Sequence, residues 1–206
     1  MPISPGSEWG TPSPIPDHAR VMSADRQLGL FLRDNSAQQI HAQSLFMQSG
    51  DITRVLGVKS RSNNDECIRV IIDAISVSYT DAHGVEHTDV CVGSLSIARR
   101  FLRGAICIVS NSGYWNDHEV APRAHLNDGK LDIFEVSGAM RWSQRRLMWK
   151  KTSLGTHLPH PLLSYSQGDF SHWEGSPQRL TIDGQFVATV TKVACRIQSD
   201  CVQIYA

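Results

Sequence analysis

In NSGYWNDHEVAPRAHLNDGKLDIFEV, residues Asn111 to Val136, the triplet Asn127-Asp128-Gly129 stands directly before the strand-like run Leu131 to Val136. Asn, Asp and Gly supply the backbone freedom and local side-chain bonding that a tight turn needs. A short carboxylate held beside exposed carbonyls also makes an oxygen-rich place of the kind Mg²⁺ or Ca²⁺ prefers, although most such triplets are turns and nothing more.

Working outward, strand patterns surround this turn. Ile68 to Thr80 is rich in β-branched residues, Asp81 to Gly84 is its turn, and a return strand runs through Val90 to Val92. Gly104 to Ser110 is a nearly continuous apolar run, which suits a strand buried on both faces. Arg179 to Ile182, Phe186 to Val190, Val193 to Ile197 and Val202 to Tyr205 give four short strands, with Asp183-Gly184 as the turn between the first two. The fold class expected is mainly β, an antiparallel β-sandwich with one or two helices.

The helices are fewer. Met140 to Lys151 has good helix formers, with Gly155 as its stop; Met140, Gln144, Leu147 and Met148 are expected to face the sheet and Arg141, Arg145 and Lys151 to face outward. Such a charged face is usually only solvated, and its functional alternative is contact with anionic lipid head groups. In Ser49 to Gly57, Ser49 or Asp51 can cap a short helix carrying Ile52, Val55 and Leu56, and the capped start makes Ser49 and Asp51 candidate contacts for a phosphate. Between Ala24 and Phe46 the pattern is mixed, with a cluster at Leu28, Leu30, Phe31 and Leu32, and no element is assigned. Residues 1–23 are expected to be a flexible N-terminal arm ahead of a β domain at 24–206, because five of the nine prolines fall before Asp17 and oppose helix and sheet pairing.

A chain of 206 residues can bury a substantial core. Lys plus Arg and Asp plus Glu number 20 each, so overall charge offers no argument for a nucleic-acid partner, though a local patch is allowed. The five cysteines form no Cys-x-x-Cys pair; Cys67, Cys91, Cys107 and Cys195 lie among apolar residues and read as buried free thiols in a reducing compartment. No apolar run approaches the roughly 20 residues of a membrane span and the N-terminus lacks a signal-peptide pattern, so a cytoplasmic protein is expected.

With these elements placed, the chain resembles the C-terminal part of the diacylglycerol kinase and sphingosine kinase family, in its bacterial soluble lipid-kinase branch. The resemblance is carried by Ala121-Pro122-x-Ala124-x-Leu126-Asn127-Asp128-Gly129-x-Leu131-Asp132, by Gly155-Thr156-His157-Leu158-x-His160-Pro161 and by Asp183-Gly184, in that order. Ser49-Gly50-Asp51-Ile52-Thr53-Arg54 is similar to the family's segment joining its nucleotide and lipid domains, so the likeness covers about residues 49 to 206. It implies a β-sandwich that receives a lipid alcohol such as diacylglycerol or a long-chain base, with an apolar pocket between the sheets that opens near Gly155 to Pro161. It further implies a structural Mg²⁺ held by the Asp128 side chain and by backbone carbonyls of His125 and Lys130. A carbonyl ligand is indifferent to side-chain type.

Two departures bear on catalysis. The family's Asp-Gly-Glu, whose Glu acts as general base, reads Asp183-Gly184-Gln185 here; Gln185 can position a hydroxyl but cannot take its proton, and Asp183 is the substitute. Residues 1–48 contain no Gly-rich phosphate loop, and phosphoryl transfer depends on positioning the phosphates and their metal. ATP therefore enters only if a nucleotide domain is supplied elsewhere. The expected function is the lipid-binding domain of a lipid-kinase-like protein, not catalytic alone; the alternative is a non-catalytic, regulatory lipid-binding module. Peripheral membrane contact and a homo-oligomer are compatible with both.

Overall fold

The computed structural model describes residues 9–57, 67–100, 103–152 and 157–206. The first eight residues of the expected arm, the polar break Ser60 to Glu66 and Gly155-Thr156, including the expected helix stop, lie outside them. The chain begins with short strands β1 (Thr11–Ser13) and β2 (Arg20–Met22), followed by helices α1 (Asp25–Asp34) and α2 (Ala37–His41), strand β3 (Leu45–Met47) and helix α3 (Asp51–Val55). Then come β4 (Cys67–Asp81), β5 (Glu86–Cys91), β6 (Ser94–Arg100), β7 (Arg103–Ser110), the two-residue pair β8 (Tyr114–Trp115) and β9 (His118–Glu119), and β10 (Leu131–Val136). Helix α4 (Trp142–Thr152) precedes β11 (Leu163–Gly168), β12 (Phe170–Ile182) and β13 (Gln185–Tyr205).

One mainly antiparallel sheet runs in the order β1, β4, β13, β12, β6, β7, β10, β11. Period-2 geometry explains how its long strands serve two cores. Val70, Ile72 and Ala74 of β4 point to one face, where they meet Leu28, Phe31 and Leu32 of α1 and Ile52 of α3; Ile75 and Val77 point to the other, against Leu95, Ile97, Val109, Leu131, Leu180 and Ile182. Strand β7 is buried on both faces from Ile106 to Ser110, as its apolar run predicts. Cys107 and Val109 enter the sandwich interior, whereas Ile106 and Ile108 pack with Phe134, Met148 and Trp149.

Three expectations need correction. The Pro-rich N-terminal segment is not all arm, because β1 pairs with β4 and β2 pairs with β3; Pro12 lies within β1, opposite Ile68, on an edge strand of the kind where proline is tolerated. The three strands read between Phe186 and Tyr205 are one strand, β13, whose apparent breaks are register shifts at Val190/Lys192 and Gln198/Val202. A bulge interrupts the apolar alternation as a turn would, but the chain continues in the same direction.

In α4, Arg145 is buried, not outward: it is 1 % exposed, and its guanidinium donates to Met140 O (2.9 Å), Ser137 O (2.8 Å) and Gly104 O. Gln144 and Leu147 face solvent instead, the latter 54 % exposed, because Met148, Trp149 and Thr152 supply the inner face. The planar fork of five donors suits a cluster of carbonyls that no apolar side chain could satisfy.

Helices α1 and α2, unassigned above, form where Leu28, Phe31 and Leu32 share the i, i+3, i+4 spacing and where Ser36 and Gln39 make a capping box. Strands β2, β3 and β13 run parallel to one another, an exception within the antiparallel sheet. Among the described residues no disulfide joins the five cysteines, and Cys67, Cys91, Cys107 and Cys195 are buried. Among the described residues no helix is long and apolar enough to cross a membrane.

Candidate functional site

Sheet register gathers polar residues at one end of the sandwich: Ser94 lies opposite Ser110, Ser110 opposite Asp132, and Asp132 opposite Gln167. The β12–β13 turn closes this row, with Asp183 N donating to Ser94 O at 2.8 Å. Both turn residues have positive φ, 46° at Asp183 and 77° at Gly184, and Ile182 pairs with Gln185, so this is the two-residue hairpin the Asp-Gly pair predicts.

The Asp183 carboxylate is enclosed although its turn is partly exposed. Oδ1 accepts from Gly93 N (2.9 Å), Ser94 N (3.2 Å) and Cys91 Sγ (3.2 Å), and Oδ2 accepts from Val92 N (3.2 Å). Burial raises its pKa, against the lowering by these donors. The geometry makes it a bolt between the β5–β6 turn and the β12–β13 hairpin. Gln185, the position of the family's base, is exposed just beyond that turn.

A second carboxylate approaches Asp183 from α1. A Cβ placed on Gly93 would lie 3.2 Å from Asp25 Oδ2 and 3.3 Å from Asp183 Oδ1, so both acids press against the same glycine. Asp25 is 7 % exposed, and its Oδ2 accepts from Asp51 N at 2.6 Å while its buried Oδ1 has no hydrogen-bond partner among the described residues. Burial, then repulsion from Asp183, pushes its pKa from 3.8 up to about 7. It therefore exchanges its proton near neutrality, where Asp183 is held by four donors. Asp25 was not singled out in the sequence; the signal available was an acid at the first turn of an amphipathic segment, next to Ser23-Ala24.

Asp25 also accounts for the start of α3. The N-cap is Gly50, with φ 129° and no side-chain cap, and the cap acceptor is the Asp25 carboxylate from another helix. Ser49 donates its hydroxyl to Ser23 O. The α3 terminus is thus already served by an internal carboxyl group, and Ser49 and Asp51 lie where α1 and α3 meet.

The Asn127-Asp128-Gly129 turn sits on a different anchor, Asp73, which is fully buried. Asp73 Oδ2 accepts from Gly129 N and Oδ1 from Asp200 N, each at 2.8 Å, and Asn111 Nδ2 donates to Asp73 O at 2.9 Å. Asn127 Nδ2 donates to Ile71 O (2.9 Å) and Asp200 Oδ1 (3.1 Å). The segment Asn111 to Val136 is therefore tied to β4 and to the bulge of β13.

Within the turn, Asp128 Oδ1 accepts from Lys130 N at 3.0 Å, and burial raises the Asp128 pKa. His125 Nδ1 accepts from Asn127 N at 3.2 Å, and its ring packs against Trp9. Lys130 is exposed. Nearby, Asp132 Oδ1 accepts from Tyr165 Oη and Gln167 Nε2, while the buried Oδ2 has no hydrogen-bond partner among the described residues; Asp128 and Asp132 repel one another electrostatically. The oxygen donors present fit a hard cation in type, one carboxylate with backbone carbonyls. Among the described residues no group of three or more His, Cys, Asp or Glu makes a preformed metal cluster.

An apolar groove of about 790 Å³ opens beside this turn, lined by Pro122, Arg123, Leu158–Pro161, Leu163 and Tyr165. Two of the sequence motifs contribute to its lining, the first through Pro122 and Arg123 and the second through Leu158 to Pro161. The groove lies between loops and strand β11, and not between sheets as expected. Buried His157, whose Nε2 lies 3.0 Å from Val120 O, and whose ring packs edge-on against Phe134, pins the second motif beside the first.

This architecture is similar in fold to solved structures that carry the name diacylglycerol kinase. A solved structure of a protein provisionally assigned as a diacylglycerol kinase from Bacillus anthracis str. Sterne superposes with a TM-score of 0.57 at 12 % identity, over 79 % of this chain and 69 % of that one. A crystal structure of a diacylglycerol kinase from the same organism gives 0.53 at 13 % identity, over 89 % of this chain and 76 % of that one. The 89 % share is larger than residues 49–206 alone can supply, so the structural likeness extends into the N-terminal strands and helices. At this identity the likeness is one of fold. No protein-family model and no curated protein matches the sequence.

Proposed function

We propose that this chain is a lipid-binding domain of the lipid-kinase type, whose groove at Pro122, Leu158–Pro161, Leu163 and Tyr165 accepts the acyl or alkyl part of a lipid alcohol such as diacylglycerol or a long-chain base. The observation that carries the proposal is the joint lining of one apolar groove by two family-like motifs, with Arg123 and His160 as polar groups at its wall. The fold likeness supports the same reading. Phosphate transfer requires ATP held by a nucleotide domain, and Gln185 offers no carboxylate to take the alcohol proton.

Titration of the protein with a short-chain diacylglycerol and with sphingosine, followed by tryptophan fluorescence and native mass spectrometry, tests the groove. Stoichiometric uptake is expected. Leu158→Trp, which fills the groove from its own wall, is expected to weaken uptake at least tenfold, an effect on the order of 1.4 kcal/mol. Absence of lipid uptake by the unaltered protein would overturn the proposal.

We propose in addition that Asp128, with the carbonyls of His125 and Lys130, holds a structural Mg²⁺ in a cytoplasmic protein. Millimolar MgCl₂ should raise Tm by a few degrees in the unaltered protein, since a ligand bound only by the folded state stabilises it by mass action. The shift should vanish in Asp128→Ala. An equal shift in both proteins would show that the ion acts elsewhere.

A further inference from the structure

Resting on the lipid-groove reading, we infer that α4 is a docking helix for an anionic bilayer surface, and that it presents the adjoining groove to the lipid. Between Glu135 and Asp169 the sequence contains no acidic residue and five Arg or Lys, in a chain whose formal net charge is zero. Four of the five, Arg141, Arg146, Lys150 and Lys151, are exposed, and the fifth, Arg145, is consumed in holding the helix to the carbonyls of Ser137, Met140 and Gly104.

The helix also exposes two large apolar side chains. Trp142 is 58 % exposed and Leu147 is 54 % exposed. Exposed Trp and Leu interleaved with Arg and Lys match a lipid interface: the apolar groups enter the headgroup boundary while the cations stay at the phosphates. Met148, Trp149 and Thr152 fix the inner face, so the outer face is presented in one orientation. Chain continuity then places the groove residues Leu158 to Pro161 a few residues beyond the helix. The charge complementarity favours an anionic phospholipid surface as the occupant.

The test is co-sedimentation of the full chain with vesicles of phosphatidylcholine, with and without roughly 30 % phosphatidylglycerol. Binding is expected to the anionic vesicles, and to fall as salt rises from roughly 0.1 M to 0.5 M. Arg146→Glu/Lys151→Glu replaces two attractive charges by two repelled ones and should weaken binding at least tenfold, and Trp142→Ala should weaken it at every salt concentration. These positions are exposed, so an unchanged Tm is expected in these variants.

Two further arms separate this inference from the groove reading. Arg146→Glu/Lys151→Glu should still take up a soluble short-chain diacylglycerol, and Leu158→Trp should still bind anionic vesicles. If wild type ignores vesicles, binds neutral ones equally or is displaced from them by short duplex DNA, the docking role is wrong. It is equally wrong if Leu158→Trp abolishes vesicle binding, or if the double variant binds as wild type does.

Discussion

Asp25→Asn is expected to stabilise the protein most at pH 8 and by only roughly a third as much at pH 5. The Asp25 carboxyl is raised from 3.8 to about 7 by burial and by Asp183. Between those values the unfolded chain has lost this proton and the folded chain keeps it, so stability falls as pH rises from about 4 through about 7 and is level above. At roughly 1.36 kcal/mol per unit, the raised value corresponds to at most about 4 kcal/mol. The asparagine carries no charge to desolvate, its Oδ1 can keep the bond from Asp51 N, and its amide can face Asp183.

Thermal unfolding followed by circular dichroism at both pH values checks this. For a chain of this length the gain at pH 8 should be roughly 5–10 °C. Asp51, Asp73, Asp132 and Asp183 are also raised by burial, so part of the pH slope survives in the variant. An equal change at pH 5 and pH 8 would mean that Asp25 ionises normally in the fold.

Arg26→Met should destabilise by roughly 3–5 kcal/mol, the cost of leaving a buried charge without its partner. Arg26 donates to both oxygens of Asp89, Nη1 to Oδ1 at 3.0 Å and Nη2 to Oδ2 at 2.7 Å, and the two residues are 6 % and 3 % exposed. After the substitution Asp89 retains, among the described residues, the distant Arg33 Nη1 at 3.8 Å and its neighbour's amide, Val90 N, at 2.8 Å. Arg26→Met/Asp89→Leu removes both charges and should recover most of the loss. Urea unfolding of the two single variants and the double variant forms the cycle. Additive losses would show that the pair is not coupled, and that α1 is held to β5 by packing alone.

Strands β4, β7 and β10 were legible because their chemistry is local. Ile68 to Thr80, Gly104 to Ser110 and Leu131 to Val136 carry dense β-branched or apolar runs, and each emerges as a strand with nearly those bounds. Strand β6 was missed although Leu95 and Ile97 alternate with Ser94, Ser96 and Ala98, because small residues give the alternation little contrast. Most of β12 was missed because Phe170 to Gln178 has an exposed and polar surface. A ladder partner on either side defines such a strand where hydrophobicity does not.

The site divides in the same way. Asp128 and Asp183 could be placed in turns from their neighbours alone, and both are there. That Asp183 is an enclosed bolt, that Asp25 presses against the same glycine, Gly93, and that Arg145 turns inward were not legible. Each depends on groups distant in sequence: Asp25 and Asp183 meet only because α1 packs over the β5–β6 turn, and Arg145 meets Gly104 O only because α4 lies across β7. Turn chemistry and period-2 patterning are encoded over a few residues, so the sequence by itself determined a mainly antiparallel β domain with Asn127-Asp128-Gly129 and Asp183-Gly184 as its turns. Desolvation and charge pairing are set by what the whole chain folds against a group, so only the tertiary structure decided which carboxylates are buried, which cation is structural, and which face of α4 is left to its surroundings.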